Sequence, residues 1–300
     1  MKKPRRTKTR LKSFTDLDGV FAGATGCGIK VGRDDLAYIY LPEAYSAAAV
    51  FTQNLTAAPC IQYSKGVLKK GKLRGIIVNA GCANAATGAQ GFRNARATAQ
   101  RAARLVGCRA DEIAVASTGI IGKQLPMDKI NSGLDELFGR PLAKEGSRVS
   151  RAIMTTDTFP KQIFLRRRIG SQFVSVSGIA KGAGMIAPNM ATMLGFLVTD
   201  ARISKGPFQK MLRGAVSDSF NMTSVDTDTS TNDMVMAFST GKVPLSGKKH
   251  LLEFALLLTE ACQELSKLIA RDGEGATKLI EVTVTNAKNK EQARKMALNV

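Results

Sequence analysis

Between Gly178 and Leu194 the chain reads Gly-Ile-Ala-Lys-Gly-Ala-Gly-Met-Ile-Ala-Pro-Asn-Met-Ala-Thr-Met-Leu, a glycine-rich stretch broken by Pro188-Asn189. Such a segment cannot continue a helix, so it must be a loop, and it runs directly into an apolar strand from Met193 to Val198. Thr192 is thereby delivered at the mouth of a strand, which is one way to present a buried nucleophile. The ordinary role for a threonine in such a loop is to hydrogen-bond the backbone. A phosphate cradle needs the order G-x-x-x-x-G-K-[ST], and here Lys181 precedes Gly182 and Gly184. The chain has one histidine, His250, far from Thr192 in sequence. A threonine without a histidine can still react if its own α-amine is the base, which requires the Ala191–Thr192 bond to be cut.

Composition narrows the setting. No apolar run reaches transmembrane length; the longest, Leu251 to Leu258, contains Glu253. No hydrophobic signal core follows the N-terminus. Cys27, Cys60, Cys82, Cys108 and Cys262 are scattered, odd in number and without a C-x-x-C pair. This argues for free thiols in a reducing compartment and against a zinc site or disulfide scaffold, and the expected location is the cytoplasm. Cys82, in a stretch of small residues without a histidine partner, reads as a small buried side chain. The net charge is +20, and Lys2, Lys3, Arg5, Arg6, Lys8, Arg10 and Lys12 precede the first acid, Asp16. Residues 1–13 are expected to be a disordered basic tail that touches nucleic acid only non-specifically, and the remaining body is basic as well.

Leu36–Leu41, Ala48–Phe51, Gly75–Val78 and Ile113–Ala116 read as strands. Gln162–Leu165 and Gln172–Ser177 flank a hairpin turn at Ile169-Gly170-Ser171. Leu279–Thr285 alternates Ile280, Val282 and Val284 with polar residues and is expected to be a half-buried strand. Gly91–Val106 reads as a helix with an apolar stripe of Phe92, Ala95, Ala99, Ala102, Ala103 and Val106, its arginines mostly on a solvated face. Phe208–Phe220, opened by Pro207, is a second helix. Lys249–Ala270 is the longest, apolar nearly all round at Phe254–Leu258 and hence expected to be deeply packed, and it is ended by Asp272-Gly273. This mixture points to an α/β sandwich rather than a doubly wound sheet; spacing alone leaves α/β and α+β open.

The loop K-G-A-G-M-I-A-P-N-M-A-T-M-L resembles the self-cleavage site of the ornithine acetyltransferase (glutamate N-acetyltransferase) family of arginine biosynthesis. Further segments resemble that family in the same order: Gly19–Gly23, Gly28–Lys30, Ala49–Asn54, Asn79–Ala85, Ser117–Gly122, Met154–Thr158, Asp228–Asp233 and Asp272–Lys278. The resemblance implies a layered αββα sandwich. It also implies cleavage at Ala191–Thr192 into an α chain, residues 14–191 after the tail, and a β chain, residues 192–300. In the implied mechanism the Thr192 hydroxyl attacks the Ala191 carbonyl, an N→O acyl shift follows, and water hydrolyses the ester. The mature enzyme then passes acetyl from N2-acetylornithine to glutamate through an acetyl-threonine. The freed α-amine, with a reference pKa of roughly 7.7, is suited to act as base.

By motif match, Thr118 and Gly119 are implied as the oxyanion hole, and Thr158, Lys181, Thr192 and Glu274 as substrate contacts. Read without the resemblance, Thr118-Gly119 would be an ordinary turn after the preceding strand. No metal is implied: the Asp226-x-Asp228-x-Ser230 run has Thr231 where a calcium loop needs glycine and Ala237 where it needs glutamate. No cofactor is implied, acetyl-CoA being a further candidate donor, and the two fragments are expected to associate and to oligomerise further. The family pattern continues beyond Val300, through a tryptophan-bearing motif, and this chain has no tryptophan. A truncated form with little transferase activity is therefore one alternative. A related N-terminal-nucleophile amidase or aminopeptidase is a second, and a non-catalytic basic nucleic-acid binder is a third, which leaves the 178–194 loop unexplained.

Overall fold

The computed structural model describes residues 13–186 and 193–300. Thr192, Ala191 and the basic residues 2–12 lie outside the described residues. In chain order the elements are β1 (Phe21–Thr25), β2 (Leu36–Tyr40), β3 (Ser46–Phe51), α1 (Pro59–Lys70), β4 (Gly75–Cys82), α2 (Gly88–Val106), β5 (Ile113–Ile120), α3 (Met127–Phe138) and α4 (Gly146–Ala152). The second half contributes β6 (Lys161–Ile169), β7 (Gln172–Lys181), β8 (Leu194–Arg202), α5 (Lys205–Ser217), β9 (Met234–Pro244), α6 (Gly247–Arg271) and α7 (Lys290–Leu298).

The strands form two mixed sheets. One has the order β1-β2-β4-β5 and the other β3-β9-β8-β7-β6. The β4/β5 and β8/β9 pairs are parallel and the rest antiparallel. Strand periodicity divides the second sheet into two faces. Leu194, Phe196, Val198, Met234, Met236 and Phe238 pack with residues of the first sheet, while Leu197, Ala201, Val235 and Ala237 pack with α5 and α6. Helices α1, α2 and α3 pack on the first sheet. The fold is therefore a layered αββα sandwich, with one apolar layer between the sheets and another beneath α5 and α6.

Several elements extend beyond their sequence signals. The β4/β5 ladder continues four residues past Val78 and past Ala116, with a register shift at Gly81/Cys82, so Thr118-Gly119 lies within β5 and not in a turn. Helix α5 starts two residues before Pro207, which falls in the first turn where its missing N–H goes unused. Ile169 pairs with Gln172 across Gly170-Ser171, and Gly170 has φ +60°, as a tight hairpin turn requires. Cys82 is buried, as its neighbours suggest.

Two expectations are overturned. Leu279–Thr285 is not a strand: no described strand lies beside it to complete its backbone hydrogen bonds, and Ile280 is 79% exposed. In α6, Leu256 is 57% exposed although Phe254, Leu257 and Leu258 are buried, because the helix packs on one side only. Among the described residues no helix is long and apolar enough to cross a membrane.

One side chain joins the sheets. Asn232, just before β9, donates from Nδ2 to the Ser117 carbonyl on β5 at 2.8 Å and to the Ala83 carbonyl just after β4 at 2.6 Å. Both bonds are buried, so truncation would leave two carbonyls without partners inside the protein. Asn232→Ala should lower unfolding stability by on the order of 2–4 kcal/mol, measured by urea titration. A loss below about 0.5 kcal/mol would show that the sheets do not depend on this contact.

Candidate active site

The glycine-rich loop leaves β7 at Lys181 and returns as β8 at Leu194, and these two residues are direct ladder partners. The loop is thus closed at its base by paired strands. On the outgoing side, the Gly182 N–H donates to Asp157 Oδ1 at 2.7 Å, and the Ala183 carbonyl accepts the Glu274 N–H at 2.8 Å. The Glu274 carboxylate lies over Gly184, where a Cβ would collide with it. Met185 adopts φ +55°, uncommon for a side-chain-bearing residue, and is held there by Asp226, whose carboxylate accepts the Met185 and Ile186 N–H groups. The same carboxylate accepts the Asp228 N–H, so Asp226 of the calcium-like run is occupied in bracing the loop. Among the described residues there is no group of three or more His, Cys, Asp or Glu side chains arranged to hold a metal.

Beneath the loop lies a buried ion cluster. Lys161 Nζ at the start of β6 donates to Asp157 Oδ1 and to Asp272 Oδ2, both at 2.6 Å, and all three side chains are essentially excluded from solvent. Asp272, where α6 ends, also accepts the Thr158 N–H at 3.0 Å and the Thr158 hydroxyl. Burial works to raise both carboxyls, but Lys181 and Lys161 outweigh it at Asp157, and the bonds from Lys161 and Thr158 outweigh it at Asp272; both end below the usual carboxylate range. Lys181 is itself buried, and burial lowers its pKa against the opposing charges of Asp157, Asp233 and Glu274. Thr158, Lys181 and Glu274 are thereby brought around one loop, where a basic and an acidic group can face an amino acid.

On the returning side, the Met193 N–H donates to Asp233 Oδ1 at 2.8 Å. Asp233 is fully buried, and among the described residues its Oδ2 has no hydrogen-bond partner. Burial drives its pKa up to about 7 against the opposing effects of the Met193 N–H, the Ser230 hydroxyl and Lys181. The adjacent Asn232 reaches Ser117, so two consecutive residues connect the returning strand to Thr118-Gly119. Thr118 is buried and Gly119 exposed, so β5 surfaces there. Gly119 has φ +129°, and a Cβ on it would overlap the Gly81 backbone, which explains glycine at this position. His250 packs against Gly170 at the hairpin end of β7, roughly 30 Å from Lys181 by strand rise.

Sequence reasoning did not single out Asp157, Lys161, Asp226, Asn232, Asp233 or Asp272 for roles in the site. Asp157, Asn232, Asp233 and Asp272 stand inside the very motifs that carried the resemblance, so their positions were marked without their contacts. Lys161 carried no signal, because an isolated lysine is ordinarily a solvated side chain, and Asp226 stood out only in a calcium-like run that does not fit a calcium loop.

Lys161→Met should cost about 3–5 kcal/mol, since it leaves two buried carboxylates unpaired. The two depressed carboxyls make their contribution above the unfolded value of roughly 3.9 and lose it as pH falls further, so acid should erode wild-type stability in that range. Asp233 has the opposite sign. The unfolded chain is ionised above about pH 4, whereas the folded group keeps its proton to about 7, so it reduces stability as pH rises through that window. Asp233→Asn should therefore gain melting temperature over wild type increasingly from pH 4 to pH 7, measured by calorimetry. A constant difference across that range would contradict the burial argument.

The pattern of the ArgJ family matches residues 21–300. The arginine biosynthesis bifunctional protein ArgJ of Chlorobaculum tepidum is 44% identical over 287 residues, 94% of this chain and 71% of that protein. Its counterpart from Listeria monocytogenes EGD-e is 45% identical over 94% of this chain and 72% of that protein. Among solved structures, ornithine acetyltransferase from Mycobacterium tuberculosis, complexed with ornithine, is 38% identical with a TM-score of 0.55, covering 60% of this chain and 96% of that one. The L-aminopeptidase D-Ala-esterase/amidase of Ochrobactrum anthropi, described as a variant of the Ntn hydrolase fold, is 11% identical with a TM-score of 0.54. It covers 87% of this chain and 86% of its own, a likeness of fold alone.

Proposed function

The chain belongs to the ArgJ family, and from that premise we propose that Thr192 becomes the N-terminal nucleophile of a two-chain enzyme that moves acetyl from N2-acetylornithine to glutamate. It is an acyltransferase of arginine biosynthesis. The observation that carries the detailed reading is the closed base of the loop. Lys181 and Leu194 are ladder partners, and Met193, the residue after Thr192, is held by a buried carboxyl. That frame fixes the backbone immediately after Thr192.

In the mature enzyme the Thr192 α-amine removes the hydroxyl proton as Oγ attacks the acetyl carbonyl. Thr118 and Gly119 supply the oxyanion site, where a single donor is worth roughly 3 kcal/mol. Ornithine leaves with a proton, and the amine of glutamate attacks the acetyl ester. Lys181 faces the substrate α-carboxylate and Glu274 an amine. Acetyl-CoA is a second candidate donor, and no bound cofactor takes part. The fragments 1–191 and 192–300 stay associated. This is supported by the β7/β8 ladder and by the buried Lys161–Asp272 pair, both of which join one fragment to the other. Further pairing of such protomers and action in the cytoplasm complete the reading.

Intact mass and N-terminal sequencing of purified protein should find two chains split before Thr192. Thr192→Ala should remain one chain and lose transfer on the order of 10³-fold or more. Incubation with N-acetylornithine should release ornithine in proportion to glutamate acetylated; release that ignores glutamate would make the protein an amidase. An unbroken Ala191–Thr192 bond in an active preparation would remove the chemical basis of the proposal.

A further inference from the structure

The end of the sandwich opposite the loop carries side chains that acetyl transfer does not use. Phe173 and Lys181 stand at opposite ends of β7, roughly 26 Å apart by strand rise. Alternation carries the face that packs Phe164, Val198 and Phe238 between the sheets outward to Arg166, Arg168, Phe173, Arg202, Lys242 and Tyr45. Their neighbours Ile169, Val174, Ala201 and Val243 pack on the helix side. All six outer side chains are exposed.

The six form a row across the sheet. Arg168 pairs with Phe173. The β7/β8 register sets Val176 opposite Thr199, and carried three residues further it brings Phe173 level with Arg202. The Arg166 guanidinium lies over the Phe173 ring, 4.7 Å from its centroid, and that of Arg202 lies over the Tyr45 ring at 5.0 Å. Rings and guanidinium planes thus alternate over five strands, about 19 Å from β6 to β3. Phe173 is 54% and Tyr45 44% exposed, so each guanidinium leaves part of its ring open. Two acids oppose the cations. Asp200 accepts the Ser175 N–H on Oδ1 at 2.8 Å, and Asp18 is 3.9 Å from Lys242. Arg167, on the other face, is paired with Glu260 and takes no part.

We propose that this row binds single-stranded nucleic acid, independently of the acetyl-transfer site. Unpaired bases have open faces that stack on aromatic rings and on guanidinium planes, and arginines reach the phosphate oxygens between them. Bases stacked inside a duplex offer no such faces, so a duplex would meet only the cations. An acidic peptide would likewise leave both rings unused. A second copy of this chain, docked by a two-fold axis, would set cations against cations. The net charge of +20 supplies long-range attraction, and the row supplies the stacking that charge alone does not.

The test measures fluorescence anisotropy of a labelled oligouridine of about 12 nucleotides with the full-length protein, and an oligothymidine of the same length should behave alike. Wild type should bind at about 50 mM salt and weaken steeply toward about 200 mM. Phe173→Ala should weaken binding about tenfold and leave the salt dependence unchanged. Arg168→Gln with Arg202→Gln should weaken it and reduce the slope of log K against log salt by about 1.4, from two lost phosphate contacts. Arg93→Gln with Arg104→Gln removes the same charge from α2 and should change affinity less than about twofold. Equal weakening by the two double variants, or wild-type affinity in Phe173→Ala, overturns the inference, because binding then follows net charge alone. So does a wild type that ignores the oligonucleotides, or one that holds a duplex of the same length as tightly. Self-association that Phe173→Ala abolishes, with RNA affinity unchanged, would make the row a contact between copies and would equally end the proposal.

Discussion

The two sheets of this sandwich meet at the site through Asn232, next to Asp233. Asn232 spans from just before β9 to backbone carbonyls of β5 and of the turn after β4, and Asp233 grips Met193, the residue just before β8. Backbone carbonyls buried between sheets must find donors, and one amide group supplies two of them at the level where the strands open toward solvent. The oxyanion candidates and the glycine-rich loop belong to different sheets. Their relative position therefore depends on this short connection rather than on any strand ladder.

The second constraint is the buried lysine. A Lys161 ammonium shared between Asp157 and Asp272 is a costly arrangement that well-packed apolar residues often match in stability. Its value here is positional. Asp157 also takes the Gly182 N–H, and Asp272 also takes Thr158, so one charge fixes the outgoing arm of the loop, the end of α6 and the segment before β6. Glu274, two residues beyond Asp272, is placed against Gly184 as a consequence. Candidate site residues distant in sequence, Thr158 and Glu274, are thus placed by one buried ion cluster.

The fold extends more widely than the chemistry. A protein 11% identical shares the sandwich, whereas relatives at 44–46% identity match more than nine-tenths of the chain. The curated relatives are longer; this chain spans about seven-tenths of each. The Leu279–Thr285 segment keeps the alternation of a strand but lies outside both sheets, with Leu279, Ile280 and Val282 exposed. Alternation reports that one face prefers burial. It does not supply the neighbour whose N–H and C=O groups make a strand.

Local chemistry determined what could be read from the residues in order. The glycines and Pro188 dictate a loop, the apolar run after Thr192 dictates a strand, and the stripe of alanines dictates the face of α2 that is buried. Each of these follows from backbone sterics or side-chain period within one segment. Tertiary structure alone decided that Thr118-Gly119 is strand, that Leu256 faces water, and that Asp233 is a buried carboxyl held high by desolvation while Asp157 and Asp272 are charge-paired. An aspartate's protonation, and a glycine's place in a ladder, are set by groups distant in the sequence, as Lys161 is from Asp272 and Gly81 from Gly119. Burial and electrostatic partnership are properties of the assembled fold, and no segment carries them by itself.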